Sequence, residues 1–230
     1  MTRTALPRGE VREDFYPTPA WVTRAIVPEL RAMASALAPT VFVDPCAGDG
    51  AILSVLREEM RSVPRRGMEI NQDRQALATK DDLRVELRDA IFWSGSGFSW
   101  HAAGGIVVMN PPFSAALEFV TRALQEARGG AVVALLRLAF LESQERVAFH
   151  REHPSDVFVL PKRPSFCASL RCAGAPALMC SWATRQAIDA PRPKACPVCG
   201  SRLAVSDSDS AAYAWFRWGG GSPGGSWAIL

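Results

Sequence analysis

Acidic or amide side chains stand at the ends of four short expected strands, and their types define the chemistry open to this chain. Asp44 follows Val41-Phe-Val43, Glu69 closes the run from Arg65, Asp89 follows Arg84-Val-Glu-Leu-Arg88, and Asn110 follows Gly105-Ile-Val-Val-Met109. Open α/β sheets bind their ligands at the carboxyl ends of such strands. Asn110 is followed by Pro111, Pro112 and Phe113. The proline pair ends the strand, fixes φ twice and removes two backbone donors, which holds the amide, the carbonyls and the phenyl ring rigidly. An amide oxygen and a backbone carbonyl are both acceptors. They can grip an exocyclic NH2 group while the ring stacks on the heterocycle that carries it. The implied substrate is a planar amine.

The turn Asp44-Pro-Cys-Ala-Gly-Asp-Gly50 lacks the three spaced glycines of the dinucleotide fingerprint. It offers a carboxylate at the strand end, with Gly48 and Gly50 small enough for a ligand to approach the backbone. That combination suits a cationic amino-acid ligand. Glu69 is placed to take both ribose hydroxyls of an adenosine moiety, and Asp89 to accept a bond from the adenine NH2.

These residues need a scaffold of alternating strands and helices. Strands are predicted over 40–44, 65–70, 84–88, 105–109, 131–136, 156–160 and 212–218, from apolar runs at 40–44, 105–109 and 131–136 and from alternation at 156–160. Helical spacing predicts helices over 21–38, 51–60, 71–79, 114–128 and 142–150, with Pro28 kinking or shortening the first and Leu117, Val120 and Leu124 facing inward in the fourth. The alternation implies an α/β fold, a doubly wound, mostly parallel sheet of seven strands, with a small cysteine-rich insertion between the last strands. Residues 1–13 read as a flexible arm, 14–166 and 212–230 as one catalytic domain, and 167–211 as the insertion.

The chain has 230 residues, 48% of them hydrophobic, enough for one full core and a small appendage. No apolar run approaches the ~18 residues of a membrane span, and the polar, charged amino terminus lacks the apolar centre of a secretory signal. A cytoplasmic protein without a membrane partner is expected. The net charge of +3 permits a nucleic-acid partner without arguing for one.

Asp44 to Gly50, Glu69 and Asn110-Pro-Pro-Phe113, in this order and spacing, resemble class I S-adenosylmethionine-dependent methyltransferases. Within them, Asn-Pro-Pro-Phe resembles the amino-group methylating enzymes. Phe15-Tyr-Pro-Thr-Pro19 is similar to the cofactor-capping segment of small phage-type DNA N6-adenine methyltransferases, and the carboxyl-terminal strand Tyr213-Ala-Trp-Phe-Arg-Trp218 also resembles theirs. The resemblance covers 14–166 and 212–230. It implies a Rossmann-like sheet, S-adenosylmethionine as cofactor and DNA as partner. It assigns Asn110, Pro111, Pro112 and Phe113 to catalysis, and Tyr16, Pro17, Thr18, Asp44, Cys46, Gly48, Gly50, Glu69 and Asp89 to the cofactor. The expected reaction is methyl transfer to N6 of a flipped-out adenine in DNA. N4-cytosine DNA methylation, N6-adenine RNA methylation and an inactive zinc-ribbon nucleic-acid-binding protein are the alternatives.

Five of the six cysteines fall between Cys167 and Cys199, and in a cytosolic chain such crowding points to metal before disulfide. Cys196-Pro-Val-Cys-Gly200 has the form of a zinc knuckle. Cys172 and Cys180 are the expected second pair for a structural Zn2+, with Cys167 as the substitute for Cys172. Lys162, Arg163, Arg171, Arg185, Arg192 and Lys194 cluster beside or within this stretch, with Phe166 and Trp182 among them, a mixture suited to phosphate contacts.

Overall fold

In a computed structural model, residues 16–38, 41–80, 83–91, 104–127, 129–172, 183–187, 194–207 and 211–230 are described, with side chains left aside at 167–172, 183–187 and 204–207. The elements run α1 (Ala20–Leu37), β1 (Phe42–Asp44), α2 (Ala51–Glu59), β2 (Arg65–Glu69), α3 (Gln72–Lys80), β3 (Val85–Leu87), β4 (Ile106–Met109), α4 (Ala116–Glu126), β5 (Ala131–Arg137), α5 (Val147–Glu152) and β6 (Asp156–Val159). Three short strands, β7 (Cys167–Cys172), β8 (Ala183–Ala187) and β9 (Leu203–Asp207), precede β10 (Tyr213–Gly219) and β11 (Trp227–Ile229).

One sheet has the order β11-β6-β10-β5-β4-β1-β2-β3. Every pairing in it is parallel except those of β10, which lies antiparallel to both β5 and β6. The strands alternate their side chains between two apolar layers. Phe42, Ile106, Val108, Val133, Leu135 and Trp215 pack with Val22, Ile26 and Leu30 of α1 and Ile52, Val55 and Leu56 of α2. Their neighbours Val43, Val107, Met109, Val132, Ala134 and Phe216 pack on the opposite layer with Phe119, Val120 and Ala123 of α4. Helices on both faces make the sheet doubly wound, and the winding reverses between β1 and β4. That reversal opens a crevice at the carboxyl ends of both strands.

The sheet has eight strands where seven are expected. The additional strand is β11, whose side chains are exposed, Trp227 at 75% and Ile229 at 68%. Without a buried face it carries no apolar alternation by which a sequence pattern could reveal it. Helix α1 runs through Pro28 without interruption from Ala20, so the proline does not shorten its start. In α4 the inward residues are Ala116, Phe119, Val120 and Ala123, while Leu117 is exposed. Of the expected inward residues, Val120 is fully buried and Leu124 is partly buried against the same core, so only Leu117 departs; a 3-10 turn over Phe113–Ala115 precedes the helix.

The strands β8, β7 and β9 form a separate antiparallel sheet between β6 and β10 in the chain. Its register sets Cys172 opposite Leu203 and Cys167 opposite Ala187.

Candidate active site

Asp44 is the last residue of β1, and Asn110 follows the last residue of the neighbouring β4. Glu69 ends β2, the other neighbour of β1. A cavity of about 530 Å3 lies over these three strand ends, within the ~300–1,000 Å3 typical of small-molecule sites. Tyr16, Pro17, Thr18, Asp44, Cys46, Gly48, Glu69, Asp89, Asn110 and Pro112 all line it. The sequence places these residues far apart. The crossover connections bring them together.

The turn after β1 is built by hydrogen bonds to acids. Asp44 Oδ1 accepts the Cys46 N–H at 3.1 Å, with the Cys46 thiol 3.6 Å away. Glu69 Oε2 accepts the Gly48 N–H at 2.8 Å, and its Oε1 accepts the Asn71 N–H at 2.8 Å. Each Glu69 oxygen keeps a further lone pair for a hydroxyl donor. Asp89 Oδ1 accepts the Ile91 N–H at 3.0 Å. Burial raises the Asp44 pKa to about 7, with smaller contributions from the charges of Glu69 and Asp49, against the Cys46 hydrogen bonds, which lower it. Burial, with the Asp44 charge behind it, also pushes the Cys46 thiol well above its ordinary value, so that Cys46 is a neutral wall residue.

Gly50 has another duty than ligand approach. It is absent from the cavity lining, adopts φ 87°, and turns its Cα toward α3 and the segment before β3, where an added Cβ would stand 2.4 Å from Leu83 Cδ1. It permits the left-handed turn into α2 and close packing behind the site.

Asn110 is locked in one orientation. Its Nδ2 donates to the Tyr16 carbonyl at 3.2 Å and to Thr18 Oγ1 at 3.0 Å. A carbonyl can only accept, so the NH2 end must face it, and the amide oxygen points the other way. That oxygen is buried and has no hydrogen-bond partner. A buried acceptor left unsatisfied is costly and marks a place for a donor. Pro111 is buried, and Pro112 precedes the 3-10 turn that carries Phe113.

Phe113 stands beside the cavity in an aromatic cluster. Tyr16 stacks on it with ring centroids 5.2 Å apart, Phe166 meets it edge-on at 6.4 Å, and Tyr213 lies at 5.7 Å. The Arg137 guanidinium also lies over its ring, 4.2 Å from the centroid. Sequence reasoning passed over Arg137, Tyr213 and the cavity residue Ile70. Ile70 is 67% exposed directly after Glu69, an apolar residue where a solvated strand end would be polar, and that was its available signal.

Cys196 is buried and Cys199 exposed, in a tight turn where the Gly200 N–H donates to the Cys196 carbonyl at 2.8 Å and the Cys196 N–H to Ser201 at 2.8 Å. Gly200 has φ 71°. Among the described residues no group of three or more His, Cys, Asp and Glu side chains is gathered to hold a metal ion. Cys180, with Trp182 and Arg192, lies outside the described residues, as do the side chains of Cys167 and Cys172. Among those residues, too, no helix is long and apolar enough to cross a membrane.

No family model and no curated protein matches the sequence. Solved structures do match. A Listeria monocytogenes protein assigned to the class I S-adenosylmethionine-dependent methyltransferases superposes with a TM-score of 0.61 over 96% of this chain and 68% of its own, at 10% identity. A Pyrococcus horikoshii protein assigned as an RNA methyltransferase gives 0.49 over 89% and 86%, at 14% identity. A predicted O-methyltransferase from Agrobacterium tumefaciens gives 0.48 over 86% and 84%, also at 14% identity. The chain has the Rossmann-like fold of class I methyltransferases.

Proposed function

We propose that the protein transfers a methyl group from S-adenosylmethionine to the exocyclic N6 of a flipped-out adenine in DNA. The observation that carries this reading is the buried, unpartnered Asn110 Oδ1 at the edge of an acid-lined cavity. An amide oxygen so held asks for an N–H donor. The cofactor would lie in the cavity, with its amino-acid end toward Asp44, its ribose hydroxyls on Glu69 and its adenine between Ile70 and Asp89. It supplies an electrophilic methyl on a cationic sulfur, which matches acids better than a phosphate-bearing nucleotide would.

The chain's own residues supply alignment. Asn110 Oδ1 and the Pro111 carbonyl accept the two amine hydrogens, which turns the nitrogen lone pair out of the base plane toward the methyl. As the N–C bond forms and the C–S bond breaks, positive charge moves onto that nitrogen and both hydrogen bonds strengthen. That differential is the catalytic contribution. The proton then leaves to water, because an alkylated aryl ammonium is strongly acidic. Phe113 provides the stacking face. Thr18 and Tyr16 hold Asn110 so that its oxygen cannot rotate away.

N4-cytosine and RNA N6-adenine present the same exocyclic amine to the same acceptors. Methyl transfer from labelled S-adenosylmethionine to DNA, RNA and protein, followed by nucleoside analysis, tests the assignment. N6-methyladenine in DNA is expected. Label in cytosine or RNA selects an alternative, and no transfer at all with intact nucleic-acid binding selects the inactive one.

The insertion is proposed to hold one structural Zn2+ on Cys172, Cys180, Cys196 and Cys199. The register supports Cys172 over Cys167, since Leu203, its partner across the ladder, is only three residues from Gly200 of the knuckle. Cys167 pairs at the far end of β7.

A further inference from the structure

Strand β5 overshoots its neighbour. Met109, the end of β4, pairs with Ala134, and β5 continues through Leu135 and Leu136 to Arg137. Arg137 therefore projects beyond the strand end that carries Asn110. Its Nε donates to the hydroxyl of Tyr213, its ladder partner on β10, at 3.1 Å, and its Cζ lies 4.2 Å from the Phe113 centroid. With Tyr16 stacked on Phe113 at 5.2 Å, flat groups of the protein itself occupy the stacking place of a substrate ring. The Asn110 amide oxygen, on the residue that follows the end of β4, is shut off from solvent. A planar amine reaches that oxygen only after something moves.

The candidates for movement are unequal. Phe166 and Tyr213 are each 1% exposed and pack against each other at 5.0 Å. Tyr16 is tethered through its carbonyl to Asn110 and precedes Pro17, which restricts its backbone. Arg137 is exposed, on a long flexible side chain. We propose that Arg137 is a substrate-binding gate: in the empty enzyme its guanidinium holds the stacking place of the target base over Phe113, and on binding it moves to a backbone phosphate of the target nucleotide.

The exchange is chemically matched. A guanidinium is a planar cation that stacks on aromatic faces and also pairs with phosphate through two parallel donors. An incoming base takes over the ring face, and the same nucleotide brings the anion that receives the displaced cation. Lys162, four residues before Phe166 in the chain, lies 4.6 Å over the Trp21 ring. This inference rests on the nucleic-acid reading above.

The experiment compares wild type, Arg137→Ala and Arg137→Lys. Calorimetric affinity for S-adenosylhomocysteine, expected to be equal in all three, establishes that each is folded. Methyl transfer to duplex and single-stranded oligonucleotides is then measured across a potassium chloride series. Arg137→Ala is expected to raise KM for the oligonucleotide ~10-fold, with kcat changed far less, and to reduce the slope of log affinity against log salt by about one, the loss of one phosphate contact. Arg137→Lys keeps the salt slope. Adenosine, which has no phosphate, should inhibit both variants ~3-fold more tightly than wild type, because the ring face is vacated. Unchanged oligonucleotide KM and salt slope in Arg137→Ala overturn the phosphate role, and adenosine inhibition no tighter than in wild type overturns the gate. If wild type methylates nucleic acid while the variants match it, the inference alone fails. If wild type neither methylates nor binds nucleic acid, the functional reading fails and takes the inference with it.

Discussion

Asp44 and Glu69 end neighbouring parallel strands and present their carboxylates to one cavity while being only 1% and 6% exposed. Two acids so buried favour a cationic guest, and burial holds Asp44 at a pKa of about 7 until one arrives.

Cofactor affinity should therefore depend on pH. A cation requires ionised Asp44, so below pH 7 binding must expel a proton and affinity should fall by up to ~10-fold per pH unit, levelling above pH 7. Calorimetry in two buffers of different ionisation enthalpy should detect that proton. A flat affinity between pH 6 and 8 would remove Asp44 from the cation site.

The same group governs stability in the opposite sense. Its folded pKa lies above the ordinary value of 3.8, so its favourable contribution is complete below pH 3.8 and is lost as pH rises through about 7. Asp44→Asn should raise Tm at pH 8 and change it little near pH 4. Asp156 works the other way. Burial opposes its charge, but Ser222, Ser226 and Arg217 hold its pKa down at about 2, so its contribution is present above 3.8 and lost as pH falls toward 2.

Asn110→Ala should reduce turnover by ~10²-fold or more, through the lost transition-state acceptor. It also releases Tyr16 and Thr18, which line the cavity, so a small loss of cofactor affinity accompanies it. Thr18→Ala separates the two effects. It should reproduce the affinity loss with a much smaller loss of turnover, because the Tyr16 carbonyl still orients Asn110, and equal turnover losses in both variants would contradict the division of roles.

Glu69→Ala should weaken S-adenosylmethionine binding by ~1–3 kcal/mol, since it removes ribose acceptors and the partner of the Gly48 N–H together. Titration calorimetry checks this. Unaltered binding would exclude Glu69 from the site.

Stripping metal should unfold the insertion alone, because the thiolates come together only in the folded segment. The large sheet has its own core, so cofactor binding should survive while DNA affinity drops and its salt dependence flattens. Elemental analysis well below one zinc per chain, with chelator-indifferent DNA binding, would leave these cysteines as packing residues.

The ends of β1 and β4 were legible because a buried parallel strand is an unbroken apolar run and its end is where polarity returns, as at Asp44 and Asn110. Glu69 follows Arg65-Arg-Gly-Met68 and precedes Ile70, so no such run marks it, and only its place one strand after the glycine turn points to it. The first turn of α4 was the illegible part: Val120 and Leu124 face inward as expected, but Leu117 and Ala116 are both apolar and nothing in the sequence says that Ala116 is the buried one. Arg137 escaped for a related reason. Read alone, a charged residue after Ala131-Val-Val-Ala-Leu-Leu136 is a solvated strand end, and only the overshoot past β4 and the ladder with Tyr213 bring it over Phe113. At Gly50 the sequence shows only small size, whereas a left-handed φ and the nearness of Leu83 are what require glycine there.

The place of β10 between β5 and β6 bears on how the protein matures during synthesis. The backbone edge of β5 and the fully buried Ala131–Leu136 run leave the ribosome some 75 residues before the strand that covers that edge, with the whole insertion made in between. At ~5–20 residues per second that edge stays open for several seconds, a long exposure for an unpaired apolar strand. Aggregation during expression should therefore respond to the insertion's folding speed even where the finished protein is stable.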